Sequence, residues 1–243
     1  AETLGLDRVR LYIEFDRPLT PTEIDRYRAL ISRRAAREPV AYITGRSYFR
    51  HLLLAVTPAV LIPRPETEEL VEVALQSLRR RPLWAADREG VPPVAVSPLG
   101  AGATVAPLDA AVAPPVAVGD GPSSTVFGIP VVPETPLVAD VGTGSGAIAL
   151  SLAQEAGVRV LAIDSSAAAL EVATRNAVAA GLEDLVEFRQ ADLLAGVADG
   201  SLRLVVSNPP YVCSEDMASL DLDIRLHEPV AALEAGPDGL AVI

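Results

Sequence analysis

The stretch from residue 137 to residue 153 constrains the fold more than any other part of the chain. It contains the apolar run 137–141, the loop Gly142-Thr143-Gly144-Ser145-Gly146 and the apolar stretch 147–153. This order is typical of a parallel strand that turns tightly into a helix. Glycines let the backbone approach a ligand closely, and a helix N-terminus favours negative charge. The sequence therefore predicts a ligand-binding corner here.

Three further predicted strands follow, and a polar side chain stands at the end of each. These strands and their polar residues are 159–163 with Asp164, 186–191 with Asp192, and 202–207 with Asn208. With Asp140 in the first strand, four successive strands carry an acid or an amide at their carboxyl ends. Ligands of open α/β sheets bind at that edge, so the pattern predicts one shared site.

Two of these strand ends suggest what the ligand is. Asp164 is placed to accept hydrogen bonds from ribose hydroxyls, and its structural alternative is a helix N-cap, a role that Ser165 and Ser166 could also fill. Asp192 can accept from an adenine amino group, while Leu193 can lie against the ring. With Ala147 in the last place, the glycine loop also fits the dinucleotide pattern G-x-G-x-x-A. On these residues alone, NAD and S-adenosylmethionine remain comparable candidates.

The sequence Asn208-Pro209-Pro210-Tyr211 follows the apolar run 202–207, the fourth predicted strand, and lies 62 residues after the glycine loop. Pro209 pushes Asn208 into an extended conformation, and neither proline offers an N–H. The result is a rigid segment, residues 208–211, which we call the acceptor mouth. It presents a side-chain amide and several carbonyls with few competing donors, and is therefore suited to binding an NH2 group. The alternative is an ordinary proline-rich turn capped by a tyrosine.

The order of glycine loop, strand-end acids and Asn-Pro-Pro-Tyr resembles class I S-adenosylmethionine-dependent methyltransferases that modify planar amide or amino nitrogens. Within these, three further segments are similar to the HemK/PrmC family, the glutamine methyltransferases of peptide chain release factors. They are EPVAYITG at 38–45, LIPRPETE at 61–68 and HEPVAAL at 227–233. Ribosomal-protein glutamine methyltransferases usually carry a Pro-Arg-Ser-Pro type segment where this chain has Pro63-Arg64-Pro65-Glu66. That difference favours the glutamine of the release-factor GGQ motif as substrate.

The resemblance implies methyl transfer from a sulfonium to a carboxamide nitrogen. The Asn208 side-chain oxygen and the Pro209 carbonyl would accept the two amide hydrogens, Pro210 would line the mouth and Tyr211 would pack against the amide. Orientation of this kind can supply on the order of 7–11 kcal/mol, and no general base is assigned. The residues expected to hold S-adenosylmethionine are Asp140, Gly142, Thr143, Gly144, Ser145, Gly146, Asp164, Asp192, Leu193 and Asn208.

Composition limits the partners. Residues 1–50 contain ten arginines and seven acids, whereas the remainder contains ten arginines and twenty-five acids. The strongly acidic residues 51–243 argue against direct nucleic-acid binding, which needs a cluster of basic residues. The mildly basic residues 1–50 could attract an acidic protein partner or form a solvated, arginine-rich helix.

The single Cys213 and the two isolated histidines argue against a metal centre. The lack of a long apolar run and of a signal-peptide pattern predicts a cytoplasmic protein without a membrane anchor. We also expect a monomer.

The predicted fold class is α/β: a doubly wound, mostly parallel class I methyltransferase sheet, C-terminally truncated, with a small N-terminal helical domain. Residues 1–45 are expected to be the partial helical substrate-recognition domain, with the end of one helix at 4–15 and a second helix from the capping box Thr20-Pro21-Thr22-Glu23 up to Arg37. Residues 46–81 are expected to form a linking hairpin, within 46–62, and a helix. Arg64 and Glu66 are expected to shape a lid over the methyl donor. Residues 82–136, with eleven prolines and six glycines, are expected to be an insertion without a fixed fold. Residues 137–243 form the catalytic domain without its last strands.

Several other functions remain open. A glutamine methyltransferase acting on a ribosomal protein, or an adenine-N6 nucleic-acid methyltransferase, would share the Asn-Pro-Pro-Tyr sequence. A NAD-dependent oxidoreductase would explain the glycine loop and Asp164 but not Asn208 and its prolines. A non-catalytic binding module is the last alternative, in which the truncated sheet and the insertion have abolished chemistry.

Overall fold

A computed structural model describes residues 2–80, 125–126, 129–130 and 137–242 of the chain. The helices in these residues are α1 (Arg8–Ile13), α2 (Pro21–Ala35), α3 (Val40–Thr44), α4 (Pro65–Arg80), α5 (Ala147–Ala156), α6 (Ala167–Ala180) and α7 (Leu222–His227). The strands are β1 (Arg46–Phe49), β2 (Leu52–Ala55), β3 (Thr125–Val126), β4 (Ile129–Pro130), β5 (Val138–Val141), β6 (Val160–Asp164), β7 (Val186–Gln190) and β8 (Leu204–Ser207). Single 3-10 turns occupy Glu2–Leu4, Asp216–Ser219 and Val230–Ala232.

Four strands form the predicted parallel sheet, in the order β7-β6-β5-β8. The chain steps from β5 through β6 to β7 on one side and then crosses to β8 on the other. A crevice opens where the winding reverses, and ligands of open α/β sheets bind there. Val141 at the end of β5 is paired with Ile163 on one side and with Ser207 on the other. The α/β prediction is confirmed, and the reversal lies between the glycine loop and Asn208.

Helix α5 is the centre of the core. Its residues from Ala147 through Ala153 are all buried, because α5 packs against α4, against β2 of the hairpin and against β5, β6 and β7 of the sheet. Small side chains at alternate positions allow this close packing. The buried residues Phe49 and Leu54 of the β1–β2 hairpin join the same hydrophobic cluster. A hairpin is therefore present at residues 46–55, within the predicted range 46–62, and is anchored in the core.

Arg50 locks the hairpin turn to two helices. Its guanidinium donates to both carboxylate oxygens of Glu155 in α5, at 2.6 and 2.7 Å, and to the Glu68 carbonyl in α4 at 3.2 Å. The Arg50 side chain is only 14% exposed, so its bidentate ion pair with Glu155 is shielded from water much more than a surface ion pair. The turn, α4 and α5 are held as one unit.

The N-terminal region follows the predicted capping pattern. The Thr20 side chain accepts from the Glu23 N–H, and the Glu23 carboxylate accepts from the Thr20 N–H at 2.8 Å, with Pro21 at the first helical position. Helix α2 ends at Ala35, two residues before the predicted end, and Arg37 adopts a left-handed φ of 68°. The helix expected before it is a 3-10 turn and the six-residue α1.

The predicted insertion at 82–136 lies outside the described residues, except for the two-stranded antiparallel pairing of β3 with β4. Among the described residues, none of the helices has the length and apolar character needed to cross a bilayer.

Candidate functional site

The glycine loop closes β5 onto α5 in the predicted way. Gly142, Gly144 and Gly146 all have a positive φ, between 55° and 83°, which residues with a side chain rarely adopt. Gly146 has a second reason to be glycine. A Cβ there would lie 3.2 Å from Leu150 and 3.3 Å from Ala173, so its absence lets α6 approach the start of α5.

The N–H groups of this loop are mostly used within the protein. Gly142 and Thr143 donate to the Ile163 carbonyl at 2.8 and 2.9 Å, and Gly146 donates to the Thr143 carbonyl at 2.8 Å. Gly144 donates to Asp164 Oδ2 at 2.9 Å. Four of the five loop N–H groups therefore already have hydrogen-bond acceptors within the protein, which leaves the loop with little capacity to bind an anion.

Asp140 lies one residue before the end of β5 and is fully buried. Its Oδ2 accepts from the Thr143 hydroxyl at 2.7 Å and from the Ala149 N–H at 3.0 Å, which satisfies one of the free donors at the start of α5. Its Oδ1 is buried and has no hydrogen-bond partner among the described residues. Burial raises the pKa of Asp140 to about 7, against the opposing effect of the two hydrogen bonds.

This raised pKa predicts a pH-dependent stability. The folded protein binds a proton on Asp140 that the unfolded chain has lost, so the stabilising contribution is complete below about pH 4 and disappears as pH rises through about 7. Asp140→Asn keeps the acceptor without the buried charge. We expect it to raise the free energy of unfolding at pH 8 by one to a few kcal/mol, since one pKa unit corresponds to about 1.4 kcal/mol. Urea unfolding at pH 8 and pH 5 measures this; a less stable variant at pH 8 contradicts it.

Asp164 is the last residue of β6, and its half-buried side chain lies against the glycine loop. Besides the Gly144 N–H, it accepts from the Ser166 N–H at 2.9 Å. The N-cap of α6 is Ser166, whose side chain accepts from Ala169, so the N-cap alternative for Asp164 is wrong. The ribose-binding role stays a prediction.

Asp192 and Leu193 lie just beyond the end of β7, and both side chains are exposed. The Asp192 carbonyl accepts from the Ala195 N–H at 3.0 Å, and Leu193 adopts φ 48° in this tight turn. A large apolar side chain that is 45% exposed on such a turn offers a surface that a flat ligand could cover. Their contact with an adenine stays a prediction.

The Asn-Pro-Pro-Tyr segment begins directly after β8 and beside the glycine loop. The Ser207 hydroxyl donates to the Val141 carbonyl at 2.8 Å, which ties the ends of β8 and β5 together. Asn208, Pro209 and Pro210 are half-buried, whereas Tyr211 is 59% exposed. The structure therefore brings the predicted acceptor mouth and the predicted cofactor loop to adjacent strand ends.

The backbone that follows Tyr211 is supported from below by a later segment, residues 233–239. Val212 donates to the Leu233 carbonyl and accepts from the Ala235 N–H, both at 2.9 Å, and Ser214 donates to the Gly236 carbonyl at 2.9 Å. Gly239 packs directly on the mouth: a Cβ there would lie 2.7 Å from the Tyr211 carbonyl oxygen. Nothing in the sequence pattern predicted this support.

Two other site neighbours were also missed or assigned differently. Arg64, predicted to shape a lid, donates to the buried Glu228 carboxylate at 2.6 Å. Asn176 was not predicted at all. Its side chain pairs with the N–H and the carbonyl of Ala55 and donates to the Ser145 carbonyl at 2.8 Å, so it fastens the glycine loop to β2. A lone asparagine inside a helix carries no pattern from which such a role could be predicted.

Two family models match the chain. Residues 127–232 match the methyltransferase small domain, and residues 1–45 match the PrmC N-terminal domain. The parallel sheet, the glycine loop and the strand-end residues thus belong to a methyltransferase domain.

Curated relatives narrow this class. A release factor glutamine methyltransferase of Burkholderia pseudomallei is 37% identical, over 100% of this chain and 69% of its own length. One of Geobacter sulfurreducens is 36% identical, over 98% of this chain and 64% of its own length. An RNA methyltransferase structure from Salinibacter ruber is 31% identical, over 40% of this chain and 61% of that chain, with a TM-score of 0.28. The chain belongs to the release factor glutamine methyltransferase family and spans about two thirds of the length of these first relatives.

Proposed function

We propose that this protein methylates the side-chain amide nitrogen of a glutamine in a peptide chain release factor, with S-adenosylmethionine as methyl donor. The observation that carries the proposal is the position of Asn208-Pro209-Pro210-Tyr211, which follows β8 directly and lies beside the glycine loop of β5. The relatives that carry this activity in their names support the choice of substrate.

The chain's own residues act by holding the amide. A carboxamide nitrogen is a poor nucleophile, because its lone pair is delocalised into the carbonyl. We assign the Asn208 Oδ1 and the Pro209 carbonyl as acceptors for its two hydrogens, with Pro210 and Tyr211 packing around it. Fixing the amide in this way aligns the nitrogen without a proton transfer, and orientation can contribute on the order of 7–11 kcal/mol.

The polar groups fit S-adenosylmethionine better than NAD. When bound, this cofactor supplies a methyl group on a cationic sulfonium. The half-buried Asp164 and the unpartnered Oδ1 of Asp140 place hydrogen-bond acceptors at this edge, and the loop N–H groups that a pyrophosphate would need are already used. We propose that the cofactor is held by Asp140, Gly142, Thr143, Gly144, Ser145, Gly146, Asp164, Asp192, Leu193 and Asn208.

The N-terminal residues 1–45 are proposed to bind the release factor. Tyr12 and Phe15 are 81% and 83% exposed, which is unusual for aromatic side chains and typical of an interaction surface. Charge steering contributes less than the sequence indicated, because seven of the ten arginines in residues 1–50 form ion pairs within the described part of the chain. These are Arg17, Arg28, Arg33, Arg34, Arg37, Arg46 and Arg50.

Residues 46–81 link this region to the catalytic domain at 137–243, and the protein acts as a cytoplasmic monomer with the release factor as its macromolecular partner.

The deciding experiment is methyl transfer to an intact release factor, followed by mass spectrometry. We expect one added methyl group on wild-type release factor and none on a variant with the GGQ glutamine changed to alanine. Methylation of a ribosomal protein instead would favour the first alternative substrate. Calorimetry with S-adenosylhomocysteine and with NAD tests the cofactor: binding of NAD without binding of S-adenosylhomocysteine contradicts the proposal.

A further inference from the structure

An asparagine side chain can serve as an acceptor only if it is rotated the right way. Its Oδ1 and Nδ2 have nearly the same shape, but one accepts hydrogen bonds and the other donates them. If the Asn208 amide were turned by half a rotation, its NH2 group would face the NH2 group of the substrate. The proposed role of Asn208 therefore depends on a neighbour that holds this amide with its Oδ1 toward the substrate.

The structure supplies one such neighbour. Asn208 Nδ2 donates to the hydroxyl oxygen of Thr67 at 3.4 Å, across 141 residues of sequence. Within the described part of the chain, this is the one hydrogen bond of the Asn208 side chain. Thr67 is half-buried in the first turn of α4, at a position where a helix needs no hydroxyl for capping.

Thr67 is itself held in place by the segment that precedes it. Its N–H donates to the Arg64 carbonyl at 3.0 Å, and the Arg64 guanidinium donates to Glu228 at 2.6 Å. The Glu228 side chain is 1% exposed and also accepts from the Ile62 N–H at 3.4 Å. Residues 62–67 are therefore fastened to Glu228, in the part of the chain that follows the mouth in sequence.

We propose that Thr67 is a positioning residue for methyl transfer. Its hydroxyl accepts the Nδ2 hydrogen of Asn208, which fixes the plane of the amide and leaves Oδ1 free to accept from the substrate. A hydroxyl can also donate, so the substrate NH2 group completes the selection of Oδ1 as the acceptor. The catalytic consequence rests on the function proposed above, whereas the orientation of Asn208 is a property of the chain itself.

The kinetic test compares Thr67→Val, which keeps the shape and removes the hydroxyl, with Thr67→Ser, which keeps the hydroxyl. We expect Thr67→Val to lower kcat about tenfold, the range of one hydrogen bond, with KM for the release factor and the Kd of S-adenosylhomocysteine within about twofold of wild type. Thr67→Ser should restore most of the turnover. Thr174→Val, on the exposed face of α6, is the matched control.

Equal turnover of wild type and Thr67→Val, or equal losses in the valine and serine variants, would overturn the proposal. The split between kcat and KM matters, because a general loosening of the fold would change substrate and cofactor affinity as well.

A second measurement needs no activity. The chain contains two asparagines, Asn176 and Asn208, so asparagine-selective ¹⁵N labelling gives two side-chain amide signals. In Thr67→Val we expect the Asn208 signal to shift and its protons to exchange faster, while the Asn176 signal, held by two carbonyls, stays in place. An unchanged Asn208 signal overturns the proposal. If instead the signal responds but wild-type protein methylates no release factor, the function fails and the orientation of Asn208 stands.

Discussion

Replacing Asn208 by alanine is expected to lower turnover at least about a hundredfold, the usual cost of removing one preorganised catalytic hydrogen-bonding group. The physical reason is that the substrate amide loses one of its two proposed acceptors and is no longer aligned. The affinity for S-adenosylhomocysteine should change by less than about tenfold, or ~1.4 kcal/mol, because the glycine loop and Asp164 remain. Single-turnover methylation and calorimetry measure the two quantities separately.

The other asparagine is the matched control for this substitution. Asn176→Ala removes three hydrogen bonds and leaves the Ala55 and Ser145 backbone groups unpartnered in a buried region. We expect a loss of a few kcal/mol of stability, since each unsatisfied buried group costs about 1–3 kcal/mol. Asn208→Ala should leave the melting temperature nearly unchanged. Unchanged turnover in Asn208→Ala would refute its role; a large drop in its melting temperature would assign Asn208 a structural role instead.

The parts of the fold that the sequence predicted are those with a local pattern. The strand, glycine loop and helix at 137–156 follow from an apolar run, three glycines and a small-residue helix in immediate succession. The capping box at Thr20 and the 46–62 hairpin are equally local. The parallel order of the strands adds one global rule, that their carboxyl ends share an edge. From this rule the sequence alone predicts that Asn208 and the glycine loop lie close together.

The parts that could not be predicted depend on pairs that are distant in sequence. Arg64 and Glu228 are 164 residues apart, and Asn176 and Ala55 are 121 residues apart. Neither pair has a spacing that periodicity could detect. The motif around Arg64 predicts a part of a lid, and nothing in it indicates the ion pair with Glu228. No local pattern specifies where the segment that carries Glu228 lies.

Replacing Gly239 by alanine is the second large effect that we expect. Gly239 has φ 73°, and an added Cβ would lie 2.7 Å from the Tyr211 carbonyl oxygen and 3.2 Å from Cys213 Sγ. Because the Tyr211 oxygen is a backbone atom, residues 208–211 themselves must move. A misplacement of about 1 Å in a positioned acceptor can lower turnover on the order of a hundredfold. Steady-state methylation of the release factor measures the loss.

Gly236 provides the control that separates this collision from backbone strain. It lies in the same segment with φ 77°, but its Cβ would meet only the Ala241 side chain, at 3.2 Å. Gly236→Ala and Gly239→Ala therefore share the cost of a left-handed alanine, about 1–2 kcal/mol. Only Gly239→Ala also displaces Tyr211. Equal turnover in the two variants would show that residues 233–239 support the fold without aligning the mouth; a much lower kcat in Gly239→Ala, at similar stability, would make this late segment part of the acceptor geometry.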